Sequence, residues 1–258
     1  MTPGVVDELT FHQYYFRGPG AKASQFVSPS TLDSLRPEIE LAVSVARAAG
    51  QGKAAGASLG ETASSFSGGT PNLSDSFAST FGWIDKLGMS ARLGLRRVFR
   101  QDLASANPYA LFALRDGGEV PTPDFWASLL WRKLMGARVL SVTSTANDTL
   151  RAYAHCAAGN TGELSLVLIN LGSANVSSST AIQNFAQDSH APESVVYTVY
   201  TLSAAGGDFT STTAMLNGVE LRPEADGSPP DVVALGKRPR PAVHLVLVPS
   251  ACAPRCKE

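Results

Sequence analysis

The sequence predicts a molecule in two parts, α/β over residues 1–136 and all-β over residues 137–258. Up to Gly136, runs of strand composition alternate with runs of helical periodicity, the order that produces parallel strands joined by crossover helices. Beyond Gly136, short β-rich runs are separated by loops rich in Gly, Ser, Asn and Pro, which predicts an antiparallel sheet or sandwich. At 258 residues with 44% hydrophobic and 17% charged side chains, the chain can bury a sizeable core, and disorder and coiled coil are excluded. No internal repeat is visible.

The first strand is read in residues 5–16, where β-branched and aromatic residues cluster before Arg17-Gly18-Pro19-Gly20. From Ser30 as N-cap, Leu32, Leu35, Ile39, Val43 and Ala46 recur at helical spacing up to Gly50, with Pro37 required near a first turn. Residues 52–60 are poor in strand formers, so the strand leading to Glu61 is expected to be weak. A second helix is expected from Ser74, with Phe77, Phe81, Ile84 and Leu87 on one face and Gly88 as its stop. A strand over 93–99 and a third helix from Pro121 to Gly136 complete the first part. In the second part, strands are expected at 138–142, 150–155, 164–171, 195–202 and 244–248.

Lys+Arg 21 against Asp+Glu 22 leaves a net charge of -1, so the whole-chain field does not favour nucleic acid or anionic lipid. No run approaches the ~18 apolar residues of a membrane span, and Met1 is not followed by a basic and then apolar leader. Yet Asn72, Asn147 and Asn175 each open a glycosylation triplet, and Cys156, Cys252 and Cys256 suit an oxidising compartment. The expectation is a secreted, extracellular or lysosomal protein, or a membrane-associated one, whose start is missing from this chain.

Glu61 is the candidate catalytic group. It ends a presumed parallel strand and is followed by the Gly/Ser loop Thr62 to Gly69, the position at which barrel enzymes place reactive side chains on their open face. A solvated or helix-capping acid would show the same Gly-Glu pair. Three crossover units are too few to close a barrel, so the chain reads as a portion of one.

The residues resemble the heparanase-like retaining glycoside hydrolases, heparanase and related β-glucuronidases. The resemblance rests on Leu59-Gly60-Glu61-Thr62, Leu73-Ser74-Asp75-Ser76-Phe77, Trp83-Ile84-Asp85-Lys86-Leu87-Gly88, Ser90-Ala91-Arg92 and Arg100-Gln101. It continues through Pro123-Asp124-Phe125-Trp126, Leu134-Met135-Gly136, Tyr153-Ala154-His155-Cys156, Leu168-Ile169-Asn170-Leu171 and Leu216-Asn217-Gly218. These cover nearly the whole chain and match the C-terminal half of that family's proteins.

The resemblance implies the last part of a (β/α)8 barrel followed by an antiparallel β-sandwich, acting on uronic-acid-containing polysaccharides such as heparan sulfate, with no cofactor or metal. It makes Glu61 the nucleophile. The family's acid/base glutamate follows an asparagine, and no Asn-Glu dipeptide occurs here, so the chain is expected to be inactive alone and to require the upstream half of the same barrel. His12 and Tyr14 match a family His-x-Tyr beside the nucleophile, although a strand-end aromatic cluster packed on the core would show the same residues. Gln101 and Tyr109 match cleft residues, Tyr109 one that helps fix the substrate carboxylate. Ser67 and Gly68 match two glycines whose N–H groups face that carboxylate, an arrangement that survives at Ser67 provided its φ is negative. Arg17, Arg96, Arg97 and Arg100 could meet sulfates or form a solvated, internally paired face. Cys156 matches a family cysteine bridged near the C-terminus, with Cys256 the better-spaced partner than Cys252. The competing reading is a non-catalytic glycan-binding or matrix-interaction protein on the same scaffold.

Overall fold

The computed structural model describes residues 7–50, 56–115, 117–145, 148–159, 162–183, 197–236 and 245–248. The first part runs through β1 (Glu8–Gln13), β2 (Phe16–Arg17), α1 (Ala23–Phe26), α2 (Pro29–Asp33), α3 (Leu35–Gly50), β3 (Gly56–Thr62), β4 (Ser65–Phe66) and α4 (Phe77–Leu93). It continues with β5 (Val98–Arg100), β6 (Ala104–Ser105), β7 (Phe112–Arg115), β8 (Gly118–Pro121) and α5 (Pro123–Leu134). The second part holds β9 (Met135–Leu140), β10 (Leu150–Ala157), β11 (Leu164–Asn170), β12 (Thr180–Gln183), β13 (Leu202–Ala204), β14 (Ala214–Leu216), β15 (Val219–Glu220) and β16 (Leu245–Val248).

Strands β1, β3 and β5 form a parallel sheet in chain order, with β3 in the middle. The expected weak strand is thus the central one. Ala57 and Leu59 are buried in the cluster beneath α3, and Ser58 is buried with its hydroxyl on Glu8, so small residues fit on this strand. A bulge between Phe11 and His12 lets the register pass from Phe11↔Leu59 to His12↔Glu61. The ladder continues past the strand ends through Tyr15 N–H to the Ser64 carbonyl, then through the short parallel pair β2 and β4.

Helix α3 covers one side of the sheet, and Pro37 falls in its first turn, where a missing N–H costs nothing. The cap preceding it is Ser28 rather than Ser30: Ser28 Oγ accepts from Thr31 N–H at 3.3 Å and opens α2. Helix α4 starts two residues later than expected, capped by Ser76, and it does not stop at Gly88. It runs to Leu93 and ends on Gly94, whose φ of 91° makes the left-handed cap. Gly88 is instead a packing residue, since a Cβ there would lie 2.6 Å from Cε2 of Tyr153. Gly136 also fails to terminate a helix; α5 passes directly into β9, and a Cβ on Gly136 would lie 2.8 Å from the Ala157 carbonyl oxygen across the sheet.

Strands β9, β10 and β11 form an antiparallel sheet of order β11-β10-β9, and β13, β14 and β15 form a second. The pairing of β12 with β16 is parallel, a departure from the all-antiparallel expectation. The strand expected over 195–202 begins only at Leu202 among the described residues, and the β7–β8 hairpin was not foreseen. Two hydrophobic clusters hold the molecule together, and both cross the boundary at 136/137. One joins Leu35, Ile39, Leu59 and Met89 to Tyr153, Ile169 and Leu171; the other joins Phe77, Trp126 and Leu130 to Leu216, Leu221 and Val232.

Candidate active site

Glu61 and His12 are the next-to-last residues of β3 and β1, side by side in register, at the C-terminal edge of the parallel sheet. The next residues, Thr62 and Gln13, point to the opposite face, as strand alternation requires. Tyr14 follows β1, and its hydroxyl donates to Glu61 Oε1 at 2.7 Å. His12 Nδ1 lies 3.5 Å from Glu61 Oε2, with the imidazole 60% exposed and the carboxylate 35% exposed. The Glu61 side chain is therefore held by a phenol and an imidazole while it remains open to solvent. Burial pushes the Tyr14 phenol above its ordinary range, and the bond to Glu61 pushes it further, so Tyr14 stays a proton donor toward the carboxylate.

An aromatic wall surrounds this pair. The Tyr14 ring stands 6.5 Å from Phe66, edge to face, and 6.5 Å from Tyr109. Tyr109 is only 8% exposed. Burial, then the Asp102 charge, raise its phenol, while a hydrogen bond from Gln101 opposes them. The structure thus brings His12, Tyr14, Glu61, Gln101 and Tyr109 to one end of the sheet.

The loop after β4 departs from expectation in its backbone. Ser67 has φ 62°, Gly68 84° and Gly69 91°, so the negative φ required at Ser67 is not found. A serine in this region carries ~1 kcal/mol of strain that glycine would not. Gly69 is held close to Tyr109, where a Cβ would stand 3.2 Å from the ring. Hydroxyls brace the loop from below: Ser64 Oγ and Ser65 Oγ share Ser74 Oγ at 2.9 and 3.2 Å, and Thr70 Oγ1 donates to the Gly18 carbonyl at 2.9 Å.

Of the basic residues considered for sulfate, Arg100 is not available. It is buried, its Nη2 lies 2.8 Å from Asp124 Oδ2, and its guanidinium also donates to the Tyr109 carbonyl and stacks over Trp83. Arg97 pairs with Glu8, which also accepts from Ser58. Arg96 reaches the Asp7 carbonyl, while Arg17 is exposed. Asn72 and Asn175 are exposed, whereas Asn147, Cys252 and Cys256 lie outside the described residues. Cys156 is buried on β10.

Sequence reasoning missed Lys86. It is 1% exposed on α4, and its ammonium contacts Gln13, Thr62 and Ala63 directly beneath Glu61. The signal was present as a second inward stripe, Ser79, Gly82, Trp83, Lys86 and Ser90, at helical spacing. It was hidden because a lysine reads as solvated.

No family model matches the chain. Heparanase of Rattus norvegicus is 40% identical over 174 residues, covering 65% of this chain and 32% of the rat protein. Heparanase of Mus musculus is 34% identical over 257 residues, covering 95% of this chain and 44% of the mouse protein. The chain therefore spans less than half the length of these two relatives. Among solved structures, a 4-O-α-L-rhamnosyl-β-D-glucuronidase from Fusarium oxysporum superposes with a TM-score of 0.55 at 16% identity, covering 83% of this chain and 45% of that one. A GH51 α-L-arabinofuranosidase from Thermotoga petrophila gives 0.57 at 12% identity, covering 91% and 48%. These two likenesses bear on the fold, that of the (β/α)8 glycosidases. The identity to the two heparanases is of a different order, and by it the chain is a homologue of heparanase among the heparanase-like glycoside hydrolases.

Proposed function

We propose that this chain carries the nucleophile side of a retaining glycosidase that acts on uronic-acid-containing glycans such as heparan sulfate. The observation that carries the reading is the hydrogen bond from Tyr14 to Glu61 at 2.7 Å, at the C-terminal end of a parallel strand and beside His12. An ionised Glu61 attacks the anomeric carbon and forms a glycosyl-enzyme; the donor phenol fixes the attacking carboxylate and tempers its charge. Tyr109 and the N–H groups of Ser67 and Gly68 line the side on which a uronate carboxylate would be held, with Gln101 supporting Tyr109.

A retaining enzyme needs a second carboxyl group ~5 to 5.5 Å from the first to protonate the leaving oxygen. In the family this glutamate follows an asparagine, and the 258 residues contain no Asn-Glu pair. Natural glycans then turn over only when that group is supplied by the complementary part of the barrel, its absence costing ~10²- to 10⁴-fold. The proposed organisation is a barrel portion over 1–136 and a β-sandwich over 137–258. A bridge from Cys156 to Cys256, glycans on Asn72, Asn147 and Asn175, and a secreted or lysosomal location complete it.

The test uses a leaving group that needs no proton. With 2,4-dinitrophenyl β-D-glucuronide, the chain should release one equivalent of dinitrophenolate and gain the mass of one glucuronosyl residue on the peptide containing Glu61. Glu61→Gln should do neither. Absence of both signals in the parent chain, with heparan sulfate oligosaccharide still bound, would replace this reading with a non-catalytic glycan-binding protein.

A further inference from the structure

Lys86 is the largest fully buried side chain of the described residues, and among them no carboxylate lies within ion-pair distance of its ammonium. Its Nζ donates to Gln13 Oε1 at 2.9 Å, to Thr62 Oγ1 and to the Ala63 carbonyl at 3.0 Å, which uses all three N–H bonds of an ammonium. It also stands 4.2 Å over the ring of Tyr15. Burial and the nearby Arg100 charge disfavour the protonated form, with Glu38 and Asp85 acting the other way. A buried cation without a counter-charge adds little stability that an apolar side chain would not supply better.

Its acceptors show what else it does. Gln13 ends β1 between His12 and Tyr14, and Thr62, the last residue of β3, and Ala63 directly follow Glu61. Thr62 Oγ1 in turn donates to the Gln13 carbonyl at 2.5 Å. One ammonium therefore ties together, from the helix side, the two strand ends that present Tyr14 and Glu61 on the open side. We propose that Lys86 is a positioning residue that sets the approach of the Tyr14 hydroxyl to the Glu61 carboxylate by clamping the ends of β1 and β3. Its effect on geometry is independent of what Glu61 does; its effect on rate rests on the nucleophile reading.

The experiment measures both. The chain is labelled with ¹³Cζ-tyrosine, Glu61→Gln supplies the resonance of Tyr14 without its carboxylate acceptor, and Lys86→Met removes the clamp at similar volume. In folded Lys86→Met, the Tyr14 resonance should move toward the Glu61→Gln position. Glucuronosylation by the dinitrophenyl glucuronide should slow ~10- to 100-fold, with half-saturation unchanged within about twofold. A role confined to stability would lower the urea midpoint and leave the resonance and rate of the folded protein unmoved, which would overturn the proposal. If Lys86→Met does not fold, Gln13→Met decides: it keeps the ammonium, the volume and the Thr62 bond to the carbonyl of residue 13, removes one acceptor, and should shift the resonance in the same direction by less. An unmoved resonance there is equally fatal. A resonance that follows Lys86 in a chain that never becomes glucuronosylated removes the nucleophile reading and leaves the clamp; glucuronosylation with an unmoved resonance does the reverse.

Discussion

The ring of Tyr153 on β10 packs against the backbone of Gly88 on α4, and a Cβ at position 88 would lie 2.6 Å from the ring's Cε2. The phenol then donates to the buried Asp85 Oδ1 at 2.7 Å. Gly88→Ala would gain up to ~1 kcal/mol of helix propensity. It would also push the ring off its seat and strain or break that hydrogen bond, at ~2 to 4 kcal/mol. A net loss of ~1 to 3 kcal/mol should appear as a lower urea midpoint with an unchanged slope. A neutral or stabilised variant would mean that the Tyr153 ring can move aside without loss of packing between α4 and β10.

The same contact explains one limit of the sequence reading. Gly88 looked like a helix stop because glycine usually is one, and nothing local to residues 77–94 reveals an aromatic ring arriving from residue 153. Order and type of the first elements were legible because they are local: the apolar stripes of α3 and α4, the aromatic run of β1, and the proline-led start of α5, read from Pro121 and found at Pro123. The strand bearing Glu61 was legible only as weak, since its small residues are chosen by crowding in three dimensions rather than by strand propensity. The neighbours His12, Tyr14 and Glu61 were within reach through a family resemblance. Lys86 and the internal pairing of Arg100 were not, because burial of a cation is a tertiary fact.

Removing the Tyr14 hydroxyl separates its role from packing. Tyr14→Phe keeps the ring beside Phe66 and Tyr109 and deletes the one bond to Glu61 Oε1. A hydrogen bond to a charged acceptor is worth ~1.5 to 3 kcal/mol when lost at the reacting group. If Glu61 is the nucleophile as proposed, glucuronosylation should slow ~10- to 100-fold, while stability changes by less than ~1 kcal/mol. A rate equal to the parent's would show that the phenol does not act on the carboxylate.

Asp124 anchors the wall on the other side. It is 1% exposed, accepts from Ser79 Oγ and Thr80 Oγ1 at 2.8 Å each, and neutralises Arg100, whose guanidinium holds the Tyr109 carbonyl. Asp124→Ala leaves a buried guanidinium without a counter-charge and two hydroxyls without an acceptor, so unfolding should become easier by ~3 to 5 kcal/mol. The double variant Arg100→Met with Asp124→Leu removes both charges at similar volume and should recover the share of that loss due to the unpaired charge, while the Ser79 and Thr80 hydroxyls still lack their acceptor. If it recovers nothing, the pair acts through something other than mutual compensation. In either case Arg100 should contribute nothing to the salt dependence of the glycan binding proposed above, because its charge is spent inside the fold.

The buried carboxyl of Asp85 gives the stability a pH signature of definite sign. Burial raises its pKa above 3.8, and the Asp33 charge adds to that; the Tyr153 hydrogen bond and the charges of Arg151 and Arg36 oppose it without reversing it. Tyr15, whose own phenol is raised partly by the Asp85 charge, packs on the same side. Above 3.8, the folded chain therefore holds this proton more tightly than the unfolded chain does. Stability contributed by the protonated carboxyl is present at low pH and is lost as the pH climbs through the raised folded value. Asp85→Asn keeps an uncharged acceptor for Tyr153 and has no proton to lose. The unfolding free energy of the parent minus that of Asp85→Asn should then fall as the pH rises above 3.8 and level off once the raised folded value has been passed, whatever other groups contribute to both curves. A difference that rises over this range would mean that Tyr153 and Arg151 together outweigh burial, and that Asp85 is held as a carboxylate at the junction of α4 with β10.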